Sequence, residues 1–220
     1  MVVWSIFVSN AVLSALSISN LGLISSMVGF LHHEKDHVGA YEIAWPGNTV
    51  QLAVEPQHLW TDQGHVSNGV AGYGFFLGLY GLFVAWRLGR RTSRTASKTL
   101  LALAILQFLA VLFTLSAIIF VFLVTNQTKG QHISPDIARS YIPYPAEKWT
   151  PETWFQAVLD LPLVSQSQRD KISSNVTNMV AWRWILIPIF LTDIVALGLS
   201  ILEVFKQRKG AREPEFITEK

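Results

Sequence analysis

Asp193 is the ionisable side chain set deepest in an apolar run, near the middle of the stretch from Trp182 to Phe205. A carboxyl group in hydrocarbon is costly, so its default reading is functional: a proton relay, a ligand contact or an acid-base group. The structural alternative is a neutral acid that makes one hydrogen bond between helices. The candidate partners are Asn10 and Asn20 in the first apolar run and Gln107 in the third. None is a cation, so the acid is expected to carry its proton there. A second group with chemical potential is the cluster His32, His33, Glu34, Asp36, His37, His58 and His65, which holds five of the six histidines. Clustered imidazoles and carboxylates can bind zinc or iron, and the spacing of His33 and His37 would align two ligands on a helix. No metal or other cofactor is assigned, because polar side chains of this kind also mark the end of a membrane helix.

The elements that must position these groups are apolar. Half of the 220 residues are hydrophobic and 15% are charged, well to the apolar side of an ordinary soluble domain. The net charge of +2 gives no nucleic-acid signature. The absence of cysteine excludes disulfides, thiolate metal sites and cysteine nucleophiles.

A helix needs about 20 mostly apolar residues to cross a bilayer. Four stretches reach that length, at about 2–31, 68–86, 99–124 and 181–205. The expected fold is an all-α membrane protein, a bundle of four transmembrane helices over 1–205 with a tail at 206–220. Outer loops lie at 32–67 and 125–180, and a short loop at 87–98. That short loop carries Arg87, Arg90, Arg91, Arg94 and Lys98 without an acid, and Lys206, Arg208, Lys209 and Arg212 follow the fourth run. By the positive-inside rule both are cytosolic, and an even number of crossings puts the amino terminus there too. A cleaved signal peptide is the rival reading of the first run, but the run exceeds the usual 7–15 residues and no basic residue precedes it.

Ala71, Gly74, Gly78, Gly81 and Ala85 fall on one stripe of the second helix, and Gly74 to Gly78 is a GxxxG step. The stripe admits a close helix contact, either inside one bundle or between copies. Asn10, Ser14 and Ser17 share a face of the first helix, which is expected to turn inward because a side-chain amide in hydrocarbon needs a partner. Two sequons, at Asn126 and Asn175, lie in the second outer loop. Trp45, Trp60, Tyr73, Trp149, Trp154, Trp182 and Trp184 are expected to form a belt at the outer interface.

Thr150-Pro151-Glu152 reads as a helix start, with Thr150 as the cap, and Leu161-Pro162 as its end. Trp154, Phe155, Val158 and Leu159 make this short helix amphipathic, to lie on the membrane surface or cap the bundle. The polar stretch 165–179 can extend the fourth helix outward, and Pro188 predicts a kink one turn above Asp193.

The segments HLWTDQGHVSNGVAGYGFFLGLYGLFVAWR (58–87), VTNQTKGQ (124–131), YPAEKWTPETWF (144–155) and MVAWRWILIPIFLTD (179–193) resemble an uncharacterised group of fungal four-helix (tetraspan) integral membrane proteins. The resemblance covers most of the chain and implies a fungal source and a multi-pass protein. The plan is also similar to fungal claudin-like cortical proteins, which carry cysteines in the first outer loop where this chain has none.

Three functions compete. The leading one is a non-enzymatic protein of the plasma membrane or secretory pathway that organises or assists partners. Its partners are the lipid bilayer and a membrane protein or a second copy through the second helix. Another is a small membrane enzyme acting on a lipophilic substrate, similar to the anthrone-type oxygenases of fungal secondary metabolism, with Asp193 or the histidines as acid-base groups. A pocket containing Asp193 and open to lipid would favour it, and a tightly packed Asp193 would count against it. The third, transport, lacks an internal repeat or broken helix pair.

Overall fold

A computed structural model describes residues 2–45, 47–90, 97–134 and 143–210. Arg91, Arg94 and Arg212 of the charge pattern above lie outside the described residues. Four helices are long and apolar enough to cross a membrane. They are α1 (Val2–His33, prolonged by a π-helical turn over Glu34–Val38), α2 (Asp62–Gly89), α3 (Lys98–Thr128) and α5 (Gln166–Gly210). Between α3 and α5 stands the short α4 (Pro151–Leu159). All four long helices outrun the apolar stretches that announce them, because a helix continues past the hydrocarbon-like run wherever polar residues also find partners or water. α5 is the extreme case: it takes in the polar stretch from Gln166 and continues without a break through Pro188.

The chain divides into two compact units. One comprises Met1–Ser19, Val70–Ser116 and Ile187–Lys220, which is parts of α1, α2, α3 and α5. In it the glycine stripe of α2 lies against the polar face of α1. A Cβ on Gly78 would stand 2.7 Å from the backbone oxygen of Asn10, and Gly74 and Gly81 abut Ser17 and the Asn10 side chain. The Ser14 hydroxyl donates to the Phe75 carbonyl at 3.3 Å, a bond that only such a close approach permits. Ala71 and Ala85, the ends of the stripe, are buried.

The other unit comprises Asn20–Gly69 and Ala117–Leu186 and contains structure that the apolar pattern does not announce. β1 (Ala40–Trp45) and β2 (Asn48–Ala53) form an antiparallel hairpin in which Tyr41 faces Leu52 and Ile43 faces Val50. These four side chains are buried, while Glu42 is exposed on the opposite face, the two-residue alternation of a half-buried sheet. Gly47 at the turn has φ +86, a value that glycine adopts without a steric penalty. The free edge of β1 is covered by the chain after α4, since Ala44 donates to Pro162 O and Val164 to Glu42 O, each at 2.9 Å.

α4 is capped as its sequence directs. The Thr150 hydroxyl accepts from the Thr153 amide at 3.2 Å, the Thr153 hydroxyl accepts from the Thr150 amide at 3.1 Å, and proline occupies the first turn. Seven of its nine residues are buried, so it belongs to the core of its unit and does not lie on a surface. Trp149 and Trp154 pack edge to face at 5.3 Å, with Tyr144 against both. The interfacial belt is corrected for three of its seven members: Trp149, Trp154 and Trp182 are buried, while Trp45, Trp60 and Tyr73 are half-buried and Trp184 is exposed. The first two satisfy their indole N–H inside the protein, on Ala146 O and Val54 O, and so need no interfacial water.

Candidate functional site

In the first unit the buried polar side chains pair between helices. Gln107 of α3 donates through Nε2 to Asn10 Oδ1 of α1 at 3.1 Å, and the Asn10 amide nitrogen turns back to Ile6 O at 2.7 Å. Thr114 of α3 donates its hydroxyl to Asp193 Oδ2 of α5 at 2.8 Å. The expectation that Asp193 pairs with Asn10, Asn20 or Gln107 is thus corrected. The amides of Asn10 and Gln107 engage each other, and a threonine two turns further along α3 takes the acid. Asp193 is 1% exposed and its Oδ1 has no hydrogen-bond partner among the described residues. Asn20, in the other unit, is fully buried with neither amide atom partnered among those residues.

Ser200 and Glu203 continue the buried face of α5 beyond Asp193 at helical spacing. Glu203 accepts from Gln207 at 3.3 Å. It is a second buried acid that attention to Asp193 alone passes over, and its place one turn beyond Ser200, itself two turns on from Asp193, was the available signal.

The second unit holds two more buried acids. Glu34 receives the Tyr41 hydroxyl at 2.7 Å and the Lys171 ammonium at 2.7 Å, which ties the π-helical turn to β1 and to α5. Burial, and then the Glu34 carboxylate beside it, pushes the Tyr41 phenol well above its ordinary range and keeps it neutral. Glu152 of α4 receives Arg183 of α5 at 2.8 Å. Burial raises the Glu152 carboxyl above its ordinary value, with Arg183 acting in the opposite direction.

The run His33-Glu34-Lys35-Asp36-His37 also has the His-Glu-x-x-His order of helical zinc hydrolases, a signal that the spacing of the two histidines alone does not convey. Its geometry is unsuited to that use. The two rings stack 4.7 Å apart with planes 15° from parallel, so their nitrogen lone pairs run side by side and do not converge on one ion. The glutamate that would serve as base is occupied by Tyr41 and Lys171. Among the described residues no group of three His, Cys, Asp or Glu side chains could hold a metal.

Both sequon asparagines stand on helices. Asn126 is exposed near the end of α3, although the Thr128 of its sequon is buried and bonded to Val124 O. Asn175 lies on α5 and donates to Lys171 O at 2.9 Å.

No protein family, no curated protein and no solved structure matches this chain. The functional reading therefore rests on its own geometry.

Proposed function

We propose that this is a multi-pass integral membrane protein of the plasma membrane or secretory pathway, in which a non-enzymatic scaffold organises or assists partner proteins. Both termini and the Arg-rich loop 87–98 face the cytosol, and the likeness to fungal tetraspan proteins belongs to the same proposal. The observation that carries it is an inverted distribution of polarity. In the most apolar 18-residue window of each long helix, at most 44% of the residues are buried. Phe76 is 70% exposed and Trp4 68%, whereas Asn10, Gln107 and Asp193 are buried. In water that arrangement would leave apolar surface far beyond what a soluble monomer tolerates. In lipid it is the stable one, since polar groups must find partners within the protein.

The burial of Asp193 against Thr114 supports the scaffold over an enzyme. The cavities at Trp4 to Leu199 and at Phe122 to Arg183 do not include it, and a reacting acid needs access to a substrate.

The chain has no cysteine, so single-cysteine variants report topology without a prior substitution. Ser174→Cys and Lys209→Cys, both at exposed positions, are to be labelled in intact cells with an impermeant maleimide. The expected result is labelling at 174 only, with protein that stays in the pellet after alkaline carbonate. Labelling at 209 alone would reverse the orientation, and release by carbonate would refute the membrane reading.

A further inference from the structure

A cavity of about 320 Å³ opens in the second unit where the end of α3 meets α4 and α5. Its polar lining is Thr125, Asn126 and Lys129 from α3 and the segment that follows, Glu152 and Gln156 from α4, and Arg183 from α5. Two cations face one carboxylate, which leaves the site one positive charge in excess. Arg183 gives an Nη2 hydrogen to Glu152 Oε1, while its Nε is buried without a hydrogen-bond partner among the described residues. Glu152 is 5% exposed, and its Oε2 is likewise buried and unpartnered among them. Both residues line the cavity, and each carries a buried polar atom that no described residue satisfies. Such an atom is costly when left alone. The guanidinium is held in place by Phe122, whose ring centroid lies 5.2 Å from it.

We infer that this cavity holds the headgroup of a phospholipid, with the phosphodiester on Arg183 and Lys129 and an ammonium or hydroxyl donor of the headgroup on Glu152. A phosphodiester sets an anion against the two cations, its oxygens suit a guanidinium, and an ammonium on the same headgroup sets a cation against Glu152, so the match is charge by charge. The volume falls at the lower end of small-ligand sites, which suits a headgroup. The source is a lipid because exposed apolar residues, Ile119 and Leu123 on α3 and Trp184 on α5, lie on the helices that line the cavity and give acyl chains a surface. The inference rests on the membrane reading above.

The test is native mass spectrometry of the purified full-length protein in detergent. It is to be titrated with phosphatidylethanolamine, phosphatidylcholine, diacylglycerol and water-soluble glycerophosphoethanolamine. Phosphatidylethanolamine is expected to be retained best, since it alone among the lipids offers both phosphate and ammonium N–H. Lys129→Ala, a change at an exposed position, should weaken its retention about tenfold, the effect of losing one charge-assisted contact. Glu152→Gln should bring phosphatidylethanolamine down to the level of phosphatidylcholine. Equal retention of the three lipids, or no change in either variant, would overturn the inference. Displacement by the soluble headgroup at matched concentration would also overturn it, in favour of a free metabolite. Carbonate extraction of the cell membranes, before detergent is added, separates the two readings: a released protein fails as a membrane protein, while a retained protein without lipid preference fails only here.

Discussion

Thr114 and Asp193 are joined at 2.8 Å between α3 and α5, and the hydroxyl is the partner that the acid has in place of a cation. Replacing Asp193 by Asn keeps an acceptor for Thr114 and removes the ionisable group. Asp193→Asn is expected to keep normal membrane abundance and growth phenotype. Asp193→Leu and Thr114→Val should each cost about 0.5–2 kcal/mol, the range of hydrogen bonds between helices in lipid. Thermal unfolding in detergent measures both. A normally abundant Asp193→Asn protein that lost its cellular phenotype would instead assign the acid a proton-transfer role.

The close approach of α1 and α2 makes a prediction that separates glycines by position. Gly78→Ala would bring a Cβ within 2.7 Å of Asn10 O and 2.8 Å of Ser14 N, backbone atoms that cannot rotate away. A loss of about 1–3 kcal/mol is expected from the forced separation of the helices. Gly72→Ala, with nothing within 4 Å of its Cβ, should be neutral or stabilising by up to about 1 kcal/mol. Equal effects at the two positions would refute the packing of the stripe.

Glu152 gives stability a direction with pH. Its carboxyl is raised above the ordinary 4.5 by burial, so the folded protein binds this proton more tightly than the unfolded chain. That contribution is complete below pH 4.5 and is lost as the pH rises through the raised value. In delipidated detergent, Glu152→Gln is therefore expected to flatten the fall in unfolding midpoint above pH 4.5. The variant and the parent should coincide below it. A parent whose midpoint does not fall in that window would contradict the raised value.

Lys171 is the cation that partners Glu34, a residue only 2% exposed. Lys171→Met leaves the carboxylate with the Tyr41 hydroxyl alone. Because the lysine itself is partly solvated, the expected loss is about 1–3 kcal/mol, below that of a fully buried pair. Adding Glu34→Gln to the same chain should recover part of it, and a double-mutant cycle of thermal midpoints reads the coupling.

The sequence by itself determined the four long helices, because about 20 consecutive apolar residues are a local property that needs no knowledge of neighbours. It also determined the Thr150 cap, whose donors and acceptors lie three residues apart. The faces carrying Asn10, Ser14 and Ser17 and carrying Gly74, Gly78 and Gly81 are likewise set by helical periodicity. Only the tertiary structure decided that these two faces meet. It decided too that Gln107 goes to Asn10, leaving Thr114 for Asp193. A polar group's partner depends on which helices adjoin and at what height, and periodicity along one helix contains neither. The hairpin at Ala40–Ala53 and the buried Trp149 and Trp154 were hidden for a related reason. Short strands carry few alternating residues, and a tryptophan suits an interface and a core equally until a carbonyl such as Val54 O is placed beside its N–H.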